Sequence, residues 1–407
     1  MTATQTFPPH PLALRARLSA AWQRHRGWLW RDVVAVFLAT RAALLLIAII
    51  AQFFPTNSGY PDGGAAARGW GFTPVRLVDV WARWDSGWYF DLVRNGYYAN
   101  GDIATVQSNL AYFPLYPYTV KALLSLLPAT LRSYGMTVLV GVLVSNMCLV
   151  VGLALLHQWV TEITGDRQVA RRTVLYLLLF PTGFIFSAFF AESTFLLCAA
   201  AALLAAHRRQ WRWAGVAGAL LTLTRPLGLL VAVPLAWEYA AAANWNVRKL
   251  RWDVLWLGLV PVAFLLYCYW QYTLTGDFLA TIHTRQAWSR TFAWPWQTLL
   301  HPLAMAGITY MIPLEQILTG LFIAGSVAAL WQLASPGLGV WALLMIAPPL
   351  FTGQLTSTAR YYAVVLPVFI VAARLGRRPL VDRALTVLMA MTQAVLFFLW
   401  CRFYWVA

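Results

Sequence analysis

The sequence predicts an all-α, polytopic integral membrane protein, and three observations predict it. Of its 407 residues 60% are hydrophobic and only 11% charged, whereas a soluble domain of ordinary composition carries about 25% charged residues. The apolar residues recur in runs on the order of 20, the length a helix needs to cross roughly 30 Å of hydrocarbon. The few charges gather in short basic loops between those runs. So little charge cannot coat a water-facing surface, which excludes a soluble globular enzyme, and a mean hydropathy of +0.63 excludes disorder. The four cysteines, Cys148, Cys198, Cys268 and Cys401, stand singly in apolar runs without zinc-like spacing, so they read as buried fillers. The net charge of +16 fits basic cytoplasmic loops and sites for anionic lipid groups, with no nucleic acid as partner.

Taken in order, the first span is Val33–Phe54, preceded by Arg15, Arg17, Arg24, Arg26 and Arg31. No small-residue cleavage pattern follows it, so it reads as a retained helix with a cytoplasmic N-terminal arm over residues 1–32. Later runs are Met136–Val160, Thr173–Phe189, Glu192–Ala206, Trp213–Thr224, Pro226–Ala241, Asp253–Leu274, Pro313–Leu333, Leu338–Phe351, Ala359–Ala373 and Ala384–Val406. The pairs around Glu192 and Arg225 are short for full spans and suggest tight hairpins or re-entrant segments.

The segment Tyr112–Leu127, with Pro114, Pro117 and Lys121, decides the topology. If it stays outside, the clusters Arg167–Arg172, Arg208–Arg212, Arg248–Arg251 and Arg374–Arg383 all join the N-terminal arm on the cytoplasmic side. If it crosses, they invert, against the positive-inside rule. The expectation is therefore about eleven spans in one domain over 1–407, with external juxtamembrane helices. Two external loops result, 55–135 and 275–312. The cytoplasmic loops leave no room for a nucleotide-binding domain or a Gly-rich phosphate loop.

The first external loop carries the chemistry. Trp81, Trp84, Trp88 and Leu92 fall at i, i+3, i+7 and i+11, the aromatic face of a helix lying flat in the interface. Such a helix holds Asp85 just above low dielectric, where a carboxylate can approach the pKa of a general base. Asp91, six residues on, points about 240° away around a regular helix. The residue pattern leaves a second reading open: Asp85-Ser86-Gly87 is also an N-cap signal, closed by Asn95-Gly96.

The motifs resemble a known family. Trp84-Asp85-Ser86-Gly87-Trp88-Tyr89, then Asn95-Gly96-Tyr97 and Tyr112-Phe113-Pro114-Leu115-Tyr116-Pro117, are similar to blocks of bacterial relatives of the PIG-V mannosyltransferases. The resemblance continues through Phe180-Pro181-Thr182-Gly183, Glu192-Ser193, Leu223-Thr224-Arg225-Pro226-Leu227-Gly228, Thr275-Gly276-Asp277, Trp288-Ser289-Arg290, Pro295-Trp296 and Arg360-Tyr361. It runs in order over most of the chain, from about Arg41 to Arg374. Ser86 stands where the family more usually has glycine. The resemblance implies a GT-C glycosyltransferase that transfers a hexose, mannose first, from a polyprenyl-phosphate sugar to a lipid-linked or glycan acceptor. It implies inversion at the sugar, chemistry on the external face of the cell membrane, and Asp85 at the active site with Asp91 as second acid.

Physical chemistry allots the remaining candidates. Arginines bind lipid phosphate by bidentate hydrogen bonds, and Arg225, Arg360 and Arg290 are the expected donor-phosphate ligands. Trp84, Trp88, Tyr89, Glu192, His283, Gln286 and Tyr361 are expected to touch substrate; Arg285 lies among them. For Glu192 an arginine partner, a metal and the acceptor all remain open. No metal ligand set and no cofactor is otherwise implied, with a divalent metal left open. Two rival functions are a transporter or flippase of a lipid-linked sugar, and a non-catalytic membrane scaffold. A transporter wants charge near mid-bilayer on broken helices, and here Arg41 is nearly alone there.

Overall fold

The computed structural model describes residues 27–57, 72–99, 101–300, 302 and 309–406. Most of the basic arm 1–32, residues 58–71 of the first external loop and residues 303–308 of the second lie outside the described residues. Among the described residues every regular element is a helix. Five helices are long and apolar enough to cross a membrane: Leu29–Ala51, Tyr134–Thr164, Trp252–Thr275, Thr309–Gln332 and Pro379–Cys401. Shorter apolar helices, Glu192–His207, Pro226–Ala242, Pro336–Leu350 and Leu366–Leu375, complete the bundle. The chain is a multi-pass membrane protein, but the eleven runs read from hydropathy do not each become a spanning helix.

The differences have local causes. The run Thr173–Phe189 breaks at Leu179, because Pro181 forces Phe180 into extended backbone (φ −51°, ψ 143°). A 3₁₀ turn, Gly183–Ser187, follows with every residue buried. Irregular backbone at membrane depth survives only where protein groups satisfy it. Here Gln393 Nε2 donates to the carbonyls of Leu178 and Phe180 at 2.9 and 2.8 Å, and Arg41 Nη1 donates to Ser187 Oγ at 2.8 Å. Arg41, the lone cation read within the first span, therefore braces this break. The run Ala359–Ala373 also divides, into a short turn Thr358–Tyr362 and an apolar helix that begins only at Leu366.

Glu192–His207 is the central rod of the bundle. Thirteen of its sixteen residues are buried, against 17% of the most apolar window of Trp252–Thr275. Its alanines allow close neighbours, and Gly152 and Gly141 extend that on the Tyr134–Thr164 helix: a Cβ on Gly141 would lie 1.7 Å from the Phe189 ring. The rod also separates two chemically different ends. At its C-terminal end Arg208 pairs with Glu162 at 2.6 Å. Asp32–Arg167 (2.7 Å) and Asp166–Arg377 (2.8 Å) pair at that same end. At its N-terminal end stands Glu192, and there the site is built.

The helix Leu115–Ser125 has eleven residues, about 16 Å of rise and half of what a crossing needs. The chain on both sides of it stays together, since Arg94 Nη1 donates to the Arg132 carbonyl at 2.8 Å. The segment Tyr112–Leu127 thus returns to the end it left.

Candidate functional site

Five chain segments converge at the Glu192 end around one cavity of about 440 Å³. The first brings Asp85. The helix expected from Trp81 begins only at Ser86, after Trp84 adopts a left-handed backbone (φ 55°). Trp81 and Trp84 therefore do not lie at headgroup level: both are buried, on Phe397 and Trp405 at ring distances of 5.1 and 4.8 Å. The Asp85 carboxylate makes no capping bond; Ser86 Oγ instead accepts from the Arg83 amide at 3.1 Å. With the capping role unused, Asp85 Oδ2 meets Arg360 Nη1 at 2.8 Å, and the Tyr112 hydroxyl bonds to the same carboxylate.

The second and third contributions are Glu192 and Arg225. The Trp211–Thr222 helix runs back to the site end and stops before Pro226, which holds Arg225 in extended backbone (φ −162°, ψ 155°). The turn is tight enough that a Cβ on Gly228 would come within 2.2 Å of the Leu221 carbonyl oxygen. Arg225 Nη2 then reaches Glu192 Oε1 at 2.7 Å, and Arg360 Nε stands 3.6 Å from the same oxygen. Glu192 is fully buried behind the cavity wall. Two guanidinium groups occupy the place beside it that a cation would take, and among the described residues no group of three His, Cys, Asp or Glu is placed to hold a metal.

Arg360 arrives on the turn Thr358–Tyr362, fixed by a residue that sequence reasoning missed. Glu315, buried in the first turn of its helix, accepts from the Ser357 amide at 2.9 Å, the Thr358 amide at 3.3 Å and Thr358 Oγ at 3.0 Å. A carboxylate from another helix thus accepts from the amides at the N-terminus of the turn, sharing the Thr358 amide with the Leu355 carbonyl at 3.0 Å. The available signal was the rule that an acid inside an apolar run needs an explanation.

The fifth segment is the second loop. Arg285 and Trp288 line the cavity with Arg290, and Arg290 Nη2 is anchored on the Thr356 carbonyl at 3.1 Å. Arg225, Arg290 and Arg360 all lie over the Tyr361 ring, 5.2, 5.8 and 5.4 Å from its centroid. Burial alone raises this phenol, but Arg290, Arg360, Arg285 and Arg225 outweigh it and bring it down to about 7. Four guanidinium groups around one phenol make the potential there strongly positive. Non-glycine left-handed residues stand beside three of the site groups: Trp84 before Asp85, Ser289 before Arg290, and Ser357 ahead of Arg360. Such conformations cost energy and persist where the surroundings impose them.

Of the residues expected from sequence, the structure brings together Asp85, Tyr89, Glu192, Arg225, Arg290, Arg360 and Tyr361. Trp88 sits at the edge, stacked on Tyr112 at 6.1 Å and against Trp288 at 5.9 Å. Asp91 is not brought in: it faces away, accepting from Asn95 Nδ2 (2.7 Å), the Tyr98 hydroxyl (2.8 Å) and Asn109 Nδ2 (2.9 Å). His283 is paired with Asp277 at 2.6 Å outside the cavity, and Gln286 is exposed.

The fold defines the class, a polytopic, all-helical membrane protein. Among solved structures it is similar to the crystal structure of ArnT from Cupriavidus metallidurans bound to undecaprenyl phosphate. The TM-score is 0.50 at 16% identity, over 88% of this chain and 63% of that one. At that identity the likeness is one of fold, and this chain spans under two thirds of that protein. No curated protein matches. The family described as Mannosyltransferase (PIG-V) matches residues 75–233, a stretch that includes Asp85, Glu192 and Arg225. The resemblance drawn from the motifs therefore holds there.

Proposed function

We propose that this chain is a membrane glycosyltransferase that moves a hexose, mannose first, from a polyprenyl-phosphate sugar to a lipid-linked or glycan acceptor. The observation that carries the reading is one carboxylate, Asp85, held in a small cavity with Arg225, Arg285, Arg290 and Arg360. A phosphate-bearing donor suits that wall, since guanidinium groups bind its oxygens pairwise. The acceptor hydroxyl attacks the anomeric carbon and its proton passes to Asp85. The bond from that carbon to the donor phosphate breaks, and its electron pair leaves on the phosphate. The phosphate then carries an extra negative charge, which preorganised arginines stabilise without reorganising. A single displacement inverts the anomeric centre, so a β-linked donor gives an α-linked product. Arg360 has two roles, on Asp85 in the empty site and on the phosphate when donor is present. We place this chemistry on the external face, opposite the basic end of the rod.

The test is transfer of labelled mannose by the purified full-length protein in lipid vesicles. Polyprenyl-phosphate mannose and a nucleotide-linked mannose serve as alternative donors, and membrane extract supplies the acceptor. Transfer from the lipid-linked donor alone is expected. Movement of that lipid between leaflets with no sugar transferred would replace the enzyme by the transporter.

A further inference from the structure

The Ser86–Asn95 helix has two working faces. One turns Tyr89 toward the arginine cavity. The other carries Phe90, Asp91, Arg94 and Asn95 onto a second cavity of about 810 Å³, closed by Lys121 and Arg132. Its cations are held in an unusual way. Arg132 donates from Nε to the Leu127 carbonyl at 2.9 Å and from Nη2 to the Ser125 carbonyl at 2.8 Å. Arg94 Nη1 donates to the Arg132 carbonyl at 2.8 Å. Backbone carbonyls fix both guanidinium groups in direction without cancelling their charge. Lys121 lies over the Tyr118 ring at 5.8 Å. Among the described residues none of the three cations has a carboxylate within ion-pair distance. Asp91, the acid on the wall, has both oxygens already taken by Asn95, Tyr98 and Asn109. Three cations against one acid leave the cavity net positive, a site for an anion.

The surroundings say which kind of anion. The Leu115–Ser125 helix, which carries Lys121, and the turn after it expose Leu123 (44%), Leu126 (79%) and Leu131 (49%), next in sequence to the lining residues Leu124, Ser125 and Arg132. A small inorganic anion has no use for these leucines, whereas an amphiphile engages them and the cations together. We propose that this second cavity binds the phosphate headgroup of an anionic membrane lipid, with its acyl chains running over Leu123, Leu126 and Leu131. The inference rests on the chain being a membrane protein and not on sugar transfer.

The experiment measures binding of a fluorescent short-chain phosphatidylglycerol to the full-length protein in neutral detergent. Wild type is compared with R94Q/K121Q, and unlabelled lipid or inorganic phosphate is the competitor. Each cation near an anionic headgroup is worth about fivefold in affinity, so the double variant is expected to bind roughly 25-fold more weakly. Wild-type binding is expected to weaken with salt, and the unfolding temperature of the variant to stay near wild type. Equal binding by both proteins removes the site. Competition by inorganic phosphate at the same molarity as unlabelled lipid removes the lipid. Neither readout involves sugar transfer, so failure here and failure of the glycosyltransferase reading are separate results.

Discussion

Replacing Asp85 by asparagine keeps the shape of the side chain and removes its ability to take a proton. A positioned general base contributes about 10²–10⁴ in rate, so D85N is expected to lose that factor in kcat. The same carboxylate also pairs with buried Arg360 at 2.8 Å, and breaking a buried pair by removing one partner costs about 3–5 kcal/mol. Two features lower that figure: the amide oxygen introduced by D85N still accepts from Arg360, and Arg360 keeps Glu192 at 3.6 Å. The stability loss should therefore be about 3 kcal/mol or less. R360Q breaks the same pair from the other side while leaving the base. It is expected to raise the donor KM, whereas D85N leaves donor binding unchanged or tighter because a neutral amide holds Arg360 less strongly than the carboxylate does. The assay is initial-rate transfer of labelled mannose from polyprenyl-phosphate mannose, with unfolding temperature measured in the same detergent. If D85N keeps turnover within tenfold of wild type, Asp85 is not the base and the pair with Arg360 is structural.

Three further outcomes follow from named contacts. E315Q leaves the Ser357 and Thr358 donors a neutral partner; hydrogen bonds to charged groups contribute about 1.5–3 kcal/mol, so donor affinity should fall tenfold or more, and an unchanged KM would release Glu315 from positioning Arg360. With the Tyr361 phenol at about 7, the phenolate formed as pH rises through that value opposes the donor phosphate. Donor KM should then climb with pH in wild type and stay flat in Y361F; parallel KM profiles would contradict it. R41M strips the donor from Ser187 Oγ and should destabilise the protein by about 1–3 kcal/mol, read as a lower unfolding temperature, with no change at all counting against Arg41 as the brace of the Gly183–Ser187 turn.

The sequence made the membrane class legible through composition, Arg225 and Arg360 through position at the edge of an apolar run, and Asp85 through the aromatic motif around it. Pro226 even foretold the extended backbone that aims Arg225. Hydropathy could not show which apolar runs would be helical throughout. Phe180-Pro181 and the break at residues 363–365 divide two of them, and the carbonyls at the first break are satisfied by Arg41 and Gln393, which are distant in sequence. Periodicity put Trp81 and Trp84 on a helix because side-chain spacing cannot register the left-handed backbone of Trp84 itself. Glu315 escaped notice because its partners are backbone amides more than forty residues away, contacts that leave no mark in local sequence. Asp91 shared a motif with Asp85 but not its face, and only the helix start at Ser86 decides that.

The arginine cavity has a consequence for the protein when it holds nothing. Four guanidinium groups gather at it against the carboxylates of Asp85 and Glu192, so like charges are brought together around a space of about 440 Å³. The donor phosphate proposed for this cavity would offset part of that repulsion. Any ligand favouring the folded state shifts its stability by mass action. Purification that strips phosphate-bearing lipids should therefore yield the most fragile preparation, and returning one to the cavity should toughen it before a single sugar is transferred.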